Sequence, residues 1–345
     1  MTGTERGPGA HSATGGRSGR GRRSDAPSAE ESAAFVDLRP LLFSIAYRML
    51  ASVSEAEDMV QETFIRYQQS LRDGVTIGSP KAYLSAVITR LCIDHVRSAP
   101  KRREAYVGQW LPEPLITDAE ASDPAAHAEQ ADSLSMAFLL VLERLNPVER
   151  AVFLLHDVFG YGFGEIAAIV DKSEANCRQL AARARRHITA EKPRFEASRE
   201  RRDRLAERFL AAFREGDLDG LVDMLADDVV AYGDGGGKAP QWVMPILGAD
   251  RVARLFVGMS REMREHEIVI EPHQVNGQPG AALRTPDGRL INVFSLDIVD
   301  GVVQTVRSVI NPDKLSHIGP VADAHAMRRE RRAERSRDAE REDGR

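Results

Sequence analysis

Basic and amide side chains recur along one side of a predicted helix that follows Ser173. Residues three and four positions apart share a helix face, and amides and guanidiniums hydrogen-bond base edges in the major groove of DNA. The candidate DNA-reading residues are Ser173 as the helix cap, Asn176, Arg178, Gln179, Arg183 and Arg186. A solvated arginine-rich helix over some other core explains this stretch alone equally well, so its neighbours must decide.

Two short helices between Tyr161 and His187 must position these side chains. The first has an apolar side at positions 166, 167, 169 and 170, and Asp171 with Lys172 interrupts it. The inward face of the second consists of Cys177, Leu180, Ala181, Ala184 and Ile188. This spacing predicts a helix-turn-helix, which places its second helix in the major groove.

A second basic cluster closes another predicted helix, which begins with a Ser79 cap and Pro80 at its first position. Its candidate nucleic-acid contacts are Lys81, Tyr83, Arg90, Arg97, Lys101, Arg102 and Arg103. Cations beside an aromatic ring suit phosphates and an unstacked base, although a solvated charged face is the alternative. The predicted buried side consists of Tyr83, Leu84, Val87, Leu91 and Val96.

Composition limits the class of protein. The chain has 345 residues, enough for two or three domains, and its 42% hydrophobic and 29% charged residues are typical of a globular protein. We expect a cytosolic protein without a secretory signal or membrane helix, because no apolar run approaches twenty or so residues. The net charge of −5 argues against a protein that coats nucleic acid, so any DNA contacts must be local.

The cysteines and histidines predict no chemistry of their own. Cys92 and Cys177 stand among apolar residues and are expected to be buried. The nine histidines are scattered without acidic or cysteine partners at ligand spacing. The run from Asp234 to Lys238 lacks the GxxxxGK[ST] spacing of a phosphate loop. We therefore expect no metal and no cofactor.

The helices before these modules carry a polar surface. Apolar spacing from Phe35 to Tyr67 predicts two helices with a break between Ser52 and Glu57. The polar side of the second helix, available to a partner protein, consists of Asp58, Gln61, Glu62 and Arg66.

A linker rich in proline, acidic residues and alanine is predicted from residue 105 to 132. Trp110 stands in it just before Pro112 and Pro114. A tryptophan is costly to leave in water, so we expect it to dock on another part of the chain. Local packing within the linker is the alternative.

After residue 203 the pattern changes from helices to short strands. Turn signals stand at Asn276-Gly277, Asp287-Gly288 and Asp300-Gly301. Helices followed by a meandering sheet predict an α+β domain.

The two helical modules resemble the bacterial sigma-70 family, specifically its extracytoplasmic-function group. The stretch EAEDMVQETFIR is similar to the family's helix for the clamp of core RNA polymerase, which implies that role for Asp58, Gln61, Glu62 and Arg66. PKAYLSAVITRLCIDHVR resembles the module for the −10 promoter element, and NPVERAVFLLHDVFGYGFGEIAAIV with the next helix resembles the module for the −35 element. The implied partners are promoter DNA and the β and β′ subunits of core polymerase.

The third domain resembles the SnoaL-like, NTF2-like cone fold, and sigma factors fused to that fold show WLPEP, DGGGK and NPDKL segments. All three segments are present. The implied interdomain contacts are Trp110, Leu111, Pro112, Glu113, Pro114, Asp234, Gly235, Gly236, Gly237, Lys238, Asn311, Pro312, Asp313, Lys314 and Leu315. The resemblance implies that this domain replaces a separate anti-sigma protein, holding or releasing the DNA-binding modules.

Two other functions remain open for the third domain. Relatives of the cone fold include enzymes that use an acidic residue in an apolar pocket, and the candidate acids or bases are Asp234, Asp297 and His273. Nothing in their spacing singles out a pair. A pocket that binds an unknown small ligand is the other alternative.

The expected architecture is multidomain, with two all-α modules followed by an α+β cone domain. We expect a disordered tail over 1–32, the first module over 33–104, the linker over 105–132 and the helix-turn-helix module over 133–190. The cone domain is expected over 203–318 and a charged, disordered tail over 321–345. The predicted function is a sigma factor without enzymatic activity; a helix-turn-helix regulator that never engages polymerase is the alternative.

Overall fold

Three helices form the first module. The computed structural model describes residues 29–98, 106–118, 133–191 and 198–329, with side chains except at 29–32 and 191. Within it, α1 spans Ala29–Leu50, α2 spans Val53–Arg72 and α3 spans Pro80–Ser98. Most of the predicted first tail, at 1–28, lies outside the described residues, as do Lys101, Arg102, Arg103 and the linker beyond 118.

The break between α1 and α2 is shorter than predicted. It contains only Ala51 and Ser52, because Ser52 Oγ accepts the backbone N–H of Glu55 at 3.1 Å and starts α2 at once. Ser79 and Pro80 begin α3 as expected, with the Ala82 N–H donating to Ser79 Oγ.

The buried side of α3 is centred one position beyond the predicted one. Leu84, Ile88 and Cys92 are fully buried, whereas four of the five predicted core residues are half-buried: Tyr83, Val87, Leu91 and Val96. The difference arises because α3 packs on α1 and α2 and also on the helix-turn-helix. Two packing partners widen its apolar face beyond a single stripe.

The second module contains the predicted helix-turn-helix. Its helices are α4 (Met136–Glu143), α5 (Pro147–Phe153, continuing as a π-helix through Leu154–Val158), α6 (Phe163–Val170) and α7 (Glu174–Glu191). Asp171 ends α6 in the left-handed conformation, with φ 54°. The predicted inward face of α7 is confirmed, since Cys177, Leu180, Ala181, Ala184 and Ile188 are all buried. The two helical modules share one hydrophobic core.

The third domain is α+β, which confirms the predicted class. It begins with α8 (Arg199–Glu215) and α9 (Leu218–Met224), and α10 (Ala249–Glu265) follows later. The strands are β1 (Leu225–Asp234), β2 (Ile246–Leu247), β3 (Val269–Val275), β4 (Gln278–Arg284), β5 (Leu290–Val299) and β6 (Val302–Val309), in the order β2-β1-β6-β5-β4-β3. Among these six described strands, β1 and β6 pair in parallel and the other neighbours pair antiparallel.

The hairpin turns are as predicted. Asn276-Gly277 and Asp300-Gly301 have positive φ at both positions, and each joins two adjacent antiparallel strands. Such turns match the twist of the strands they connect, which is why Asn-Gly and Asp-Gly are preferred there.

The two faces of the sheet have different cores. The core shared with α8, α9 and α10 includes Phe209, Phe213, Phe256, Phe294 and Leu296. The opposite face forms a smaller core with the linker and α4, built from Leu111, Met136, Val275, Val293, Val309 and Leu315. The sheet therefore connects the third domain to the helical modules.

The end of the described chain is folded, contrary to the predicted disorder from 321. After α11 (Pro312–Leu315), the Ala322 N–H donates to Leu290 O and the Leu290 N–H to Pro320 O, each at 2.8 Å. Residues 324–329 are helical, and Asp323 caps them by accepting the Ala326 N–H. The charged composition predicted disorder here because it does not reveal the backbone bridge and the helix cap that fold residues 320–329. Residues 330–345 lie outside the described part.

Candidate interdomain junction and DNA-reading face

The linker lies along the edge of the third-domain sheet and on the helical core. Ile116 bridges Val275 in antiparallel fashion, and the Thr117 N–H donates to Gln274 O at 2.7 Å. Residues 111–114 are buried, while Trp110 and Leu115 pack against the core of the helical modules. The linker therefore contacts both bodies at once.

Asp234, at the end of β1, holds the linker through a buried carboxylate. It is 0% exposed and accepts the Leu111 N–H at 2.8 Å, the Tyr106 hydroxyl and the Lys314 ammonium at 2.7 Å. Burial lowers the pKa of Lys314, and the Asp234 carboxylate opposes that effect. Lys314 also donates to Leu111 O, so Asp234 binds the N–H and Lys314 binds the carbonyl oxygen of the same linker residue.

Aromatic side chains of the linker surround the same ammonium. Lys314 Nζ lies 4.2 Å from the ring centroid of Trp110 and 4.9 Å from that of Tyr106. Both distances are within the range of cation–π attraction. Burial raises the pKa of Tyr106, and its hydrogen bond to Asp234 adds to the effect. Trp110 thus docks on the third domain, as the sequence predicted, and uses Lys314 to do so.

The glycine-rich loop makes room for this docking. Gly236 and Gly237 have φ 57° and 69°, which favours glycine. A Cβ at Gly236 would lie 2.3 Å from Asn311 Nδ2 and 3.0 Å from Tyr106 Oη, and one at Gly237 would lie 3.1 Å from Val107. The side chains of Lys238 and Asp313 form an exposed ion pair beside the loop. The DGGGK and NPDKL segments therefore meet each other and the linker.

Glu113 joins the linker to the first module by capping α2. Its carboxylate accepts the Val53 N–H at 2.7 Å, the Ser54 N–H at 3.1 Å and the Ser52 hydroxyl at 2.8 Å. Its own N–H donates to Ala51 O at 3.0 Å. A carboxylate at a helix N-terminus satisfies free N–H groups and interacts favourably with the helix dipole.

Asn276 is an interdomain residue that sequence reasoning missed. Its amide donates to Tyr47 Oη at 2.6 Å and to Leu134 O at 3.0 Å, and it accepts the Leu115 N–H at 2.9 Å. Tyr47 Oη donates to Glu113 O at 2.7 Å, and burial raises the pKa of this tyrosine. The Asn-Gly turn explained Asn276 locally, so no sequence signal pointed to these partners.

The candidate acids and bases have other partners. Asp234 belongs to the junction, Asp297 forms a buried ion pair with Arg307, and His273 Nδ1 pairs with Asp118 of the linker. The cavity of the third domain is lined by other residues. Catalysis by one of these three residues stays a prediction.

The predicted DNA-reading face of α7 is exposed. Asn176, Gln179 and Arg186 face solvent, and the Asn176 N–H donates to Ser173 Oγ at 3.2 Å, which confirms the cap. Two arginines of this face are held by carboxylates: Arg178 by Glu174 at 2.8 Å and Arg183 by Glu149 at 3.0 Å.

The described members of the second basic cluster are mostly engaged within the chain. Tyr83 Oη hydrogen-bonds Ser70 at 2.7 Å and its ring packs on Tyr67, so it is not displayed for stacking. Arg90 donates to Ala168 O at 2.7 Å and Ile169 O at 2.8 Å, at the end of α6. Lys81 lies over the Tyr161 ring at 5.5 Å, and exposed Arg97 pairs with Asp94. The part of this cluster up to Arg97 is therefore mostly bound within the chain in this conformation.

The polar side of α2 is accessible. Asp58, Gln61 and Arg66 are exposed, and Glu62 pairs with Arg66 at 2.7 Å. Ile65, which the polar pattern led us to overlook, is 59% exposed among them. An apolar side chain within a polar rim is typical of protein–protein contact surfaces.

Within the described ranges, no group of three His, Cys, Asp or Glu side chains is arranged to hold a metal ion. No described helix is both long and apolar enough to span a bilayer.

Comparison with known proteins gives the family. Residues 34–102 match a model of sigma-70 region 2, residues 135–188 one of sigma-70 region 4 and residues 206–308 one of a SnoaL-like domain. The ECF RNA polymerase sigma factor SigJ of Mycobacterium tuberculosis is 37% identical over 294 residues, which covers 82% of this chain and 92% of that protein. The chain belongs to the ECF sigma factors.

Further relatives agree with this family. The probable ECF RNA polymerase sigma factor SigI of Mycobacterium tuberculosis is 34% identical over 291 residues, covering 82% of this sigma factor and 94% of that protein. The crystal structure of Mycobacterium tuberculosis SigJ matches with a TM-score of 0.66 at 34% identity, covering 84% of this chain and 100% of that one. The predicted family and the predicted sigma-factor function are thereby confirmed.

Arg90 is expected to hold the two helical modules of this sigma factor together. Arg90→Ala removes two charge-assisted hydrogen bonds to carbonyls of α6, and we expect the contact between α3 and α6 to weaken by about 1–2 kcal/mol. Hydrogen exchange of the α6 amides would measure it. Arg97→Ala is the matched control, because its exposed pair with Asp94 is worth little. Equal protection in both variants would contradict the assignment.

Proposed function

We propose that this sigma factor binds the β and β′ subunits of core RNA polymerase and directs them to promoter DNA, and that its SnoaL-like domain restrains this activity through the linker. The observation that carries the second part is the buried Asp234 carboxylate, which binds Leu111, Tyr106 and Lys314 together. One group thereby joins the third domain to the segment between the two helical modules. The protein acts in the cytoplasm under this proposal, where polymerase and DNA are found.

We propose that the described conformation is the restrained state of the sigma factor. Arg90 bonds the end of α6, and Arg183 bonds Glu149, so two side chains predicted to contact DNA have partners within the chain. Promoter elements for two modules lie apart along the duplex, whereas here the modules share one core. Engaging both elements requires their separation, and the linker that must move is the segment held at Asp234.

The α2 surface around Ile65 is the proposed contact with polymerase. Helical spacing places exposed Asp58 and Gln61 and half-buried Glu62 on the same face as the exposed apolar side chain of Ile65. An apolar centre with a charged rim gives both affinity and orientation to a partner.

Co-purification with core polymerase, followed by run-off transcription from genomic fragments, tests the function directly. The wild-type chain is expected to co-purify and to direct initiation at discrete start sites. The double variant Asp58→Arg/Glu62→Arg is expected to lose co-purification at least tenfold, because it reverses two charges of the surface. Glu207→Arg, an exposed change on α8, is the control. Retained co-purification by the double variant would reject the surface, and failure of the wild type would reject the function.

Arg183 is the proposed base-contacting residue of the −35 module. Arg183→Ala is expected to weaken holoenzyme binding to a promoter found by the run-off assay by about 1–3 kcal/mol, the value of a bidentate arginine–base contact. Fluorescence anisotropy of a labelled promoter fragment would measure it. Arg204→Ala, an exposed arginine on α8 that pairs with Glu200, should leave binding unchanged. Unchanged binding by Arg183→Ala would mean that another side of α7 faces the bases.

A further inference from the structure

A cavity of about 590 Å³ opens in the third domain, on the sheet face that packs against helices. It lies between α10, the sheet and helical residues 324–329, which contribute Ala324, Met327 and Arg328 to its lining. Its volume is in the range of small-molecule sites. The linker and the helical modules pack on the other sheet face, so the cavity is separate from the junction.

The wall of the cavity is mainly apolar. Trp242, Met259, Ile268 and Ile291 pack against the domain core with one side and line the cavity with the other, and each is only half-buried. Leaving several such surfaces in contact with water costs free energy that an apolar ligand would recover. Exposed Arg254 and Arg328 also belong to the lining, and Arg254 is already paired with Asp250.

One buried polar group in the lining lacks a partner. Asn292 is 3% exposed, and its Nδ2 donates to Ser308 Oγ at 2.7 Å. Gln241 Nε2 donates to the same oxygen at 3.2 Å, which fixes Ser308 between the two amides. Across the described part of the chain, Asn292 Oδ1 has no hydrogen-bond partner. A buried acceptor of this kind is costly unless a donor reaches it.

We propose that this cavity binds an apolar small molecule that carries a hydroxyl group, and that the hydroxyl donates to Asn292 Oδ1. The apolar body covers Trp242, Met259 and Ile291, and the hydroxyl satisfies the unpaired acceptor. Met327, from the helical end of the described chain, closes over the bound molecule.

A backbone contact connects the cavity to the linker junction. Ile310 lines the cavity, and its N–H donates to Asp234 O at 2.9 Å. The side chain of the same aspartate accepts the Leu111 N–H of the linker. Any effect of the ligand on transcription rests on the proposed control by the third domain, whereas binding itself does not.

Calorimetric titration of the full-length chain with 2-naphthol and with 2-methoxynaphthalene tests the binding. The two compounds have the same ring system, but only the first can donate a hydrogen bond. We expect saturable one-to-one binding of 2-naphthol with a Kd about five- to tenfold lower than that of the ether. Failure of 2-naphthol to bind up to its solubility limit, or equal Kd values for the two compounds, would overturn the proposal.

Two variants locate the site. Asn292→Leu should remove the difference between the two compounds while both still bind. Gly258→Leu should abolish binding, because Gly258 lines the cavity and a Cβ there would meet no atom within 4 Å, so the larger side chain enters open space. Replacing a helical glycine also favours the helix, so this variant should fold, and Gly258→Ala is its control. Wild-type affinity in a folded Gly258→Leu variant would place the binding elsewhere and reject the site.

Discussion

Asp234→Ala is expected to lower the stability of the interdomain junction by about 3–5 kcal/mol, the usual cost of removing one partner of a buried ion pair. The Lys314 side chain is 8% exposed and would stay buried without the carboxylate that now balances its charge. The Leu111 N–H and the Tyr106 hydroxyl would lose their acceptor as well. Hydrogen exchange across residues 106–118 would report the change, with faster exchange at Leu111 as the expected result.

Lys238→Ala is the matched control for this prediction. Lys238 and Asp313 come from the same loop and the same segment as the buried pair, but their side chains are 57% and 61% exposed. Exposed ion pairs are worth about 0–1 kcal/mol, so exchange in the linker should hardly change. Asp234→Ala should also raise run-off transcription if the junction restrains the sigma factor. Unaltered exchange at Leu111 would mean that Asp234 does not hold the linker.

Glu113→Ala is expected to have the next largest effect, about 2–4 kcal/mol on the attachment of the linker to the first module. The substitution leaves the N-terminal N–H groups of α2 at Val53 and Ser54 without acceptors in a site where Glu113 is only 7% exposed. Unsatisfied buried donors cost about 1–3 kcal/mol each, and part of that cost is recovered by water. Hydrogen exchange of the first turn of α2 would measure it.

Glu113→Gln removes the charge but keeps the shape of the side chain and one oxygen acceptor. We expect it to lower the free energy of linker attachment by about half as much as Glu113→Ala does. Glu57→Ala is the control on the same helix, since Glu57 forms an ion pair with Arg39 that is partly exposed to solvent. If Glu57→Ala and Glu113→Ala affected the first turn of α2 equally, the cap would not be the attachment that the geometry indicates.

Local periodicity was enough to predict the helix-turn-helix. The buried side of α7, the Ser173 cap and the interruption at Asp171 all depend on residues within one or two turns of each other. Turn chemistry likewise predicted the hairpins at Asn276-Gly277 and Asp300-Gly301. Interactions of this range leave a pattern in the sequence.

Long-range partners could not be predicted in the same way. Glu113 binds the backbone of Val53, sixty positions away, and backbone groups leave no signature in the residue types. Asn276 reaches Tyr47 across 229 positions, and its turn already explained its identity. The meeting of the linker with Asp234 and Lys314 followed from family resemblance alone, since neither periodicity nor spacing relates these segments.

Residue types alone also predict more basic side chains available to DNA than the structure leaves unbound. Arg90 lies in a basic cluster that suggests contact with promoter DNA, whereas its guanidinium is bonded to two carbonyls of α6. The sequence gives the charge of a side chain and its helix face, but not the carbonyl or carboxylate that another segment brings to it.

The separation along the chain between the linker and the groups that hold it has a consequence during synthesis. A ribosome completes both DNA-binding modules and the linker roughly 120 residues before it reaches Lys314. At about 5–20 residues per second, the nascent chain spends on the order of six to twenty-five seconds before Lys314 is available to bind Leu111. Under the proposed restraint, a protein truncated before Lys314 would be a sigma factor that the third domain cannot restrain.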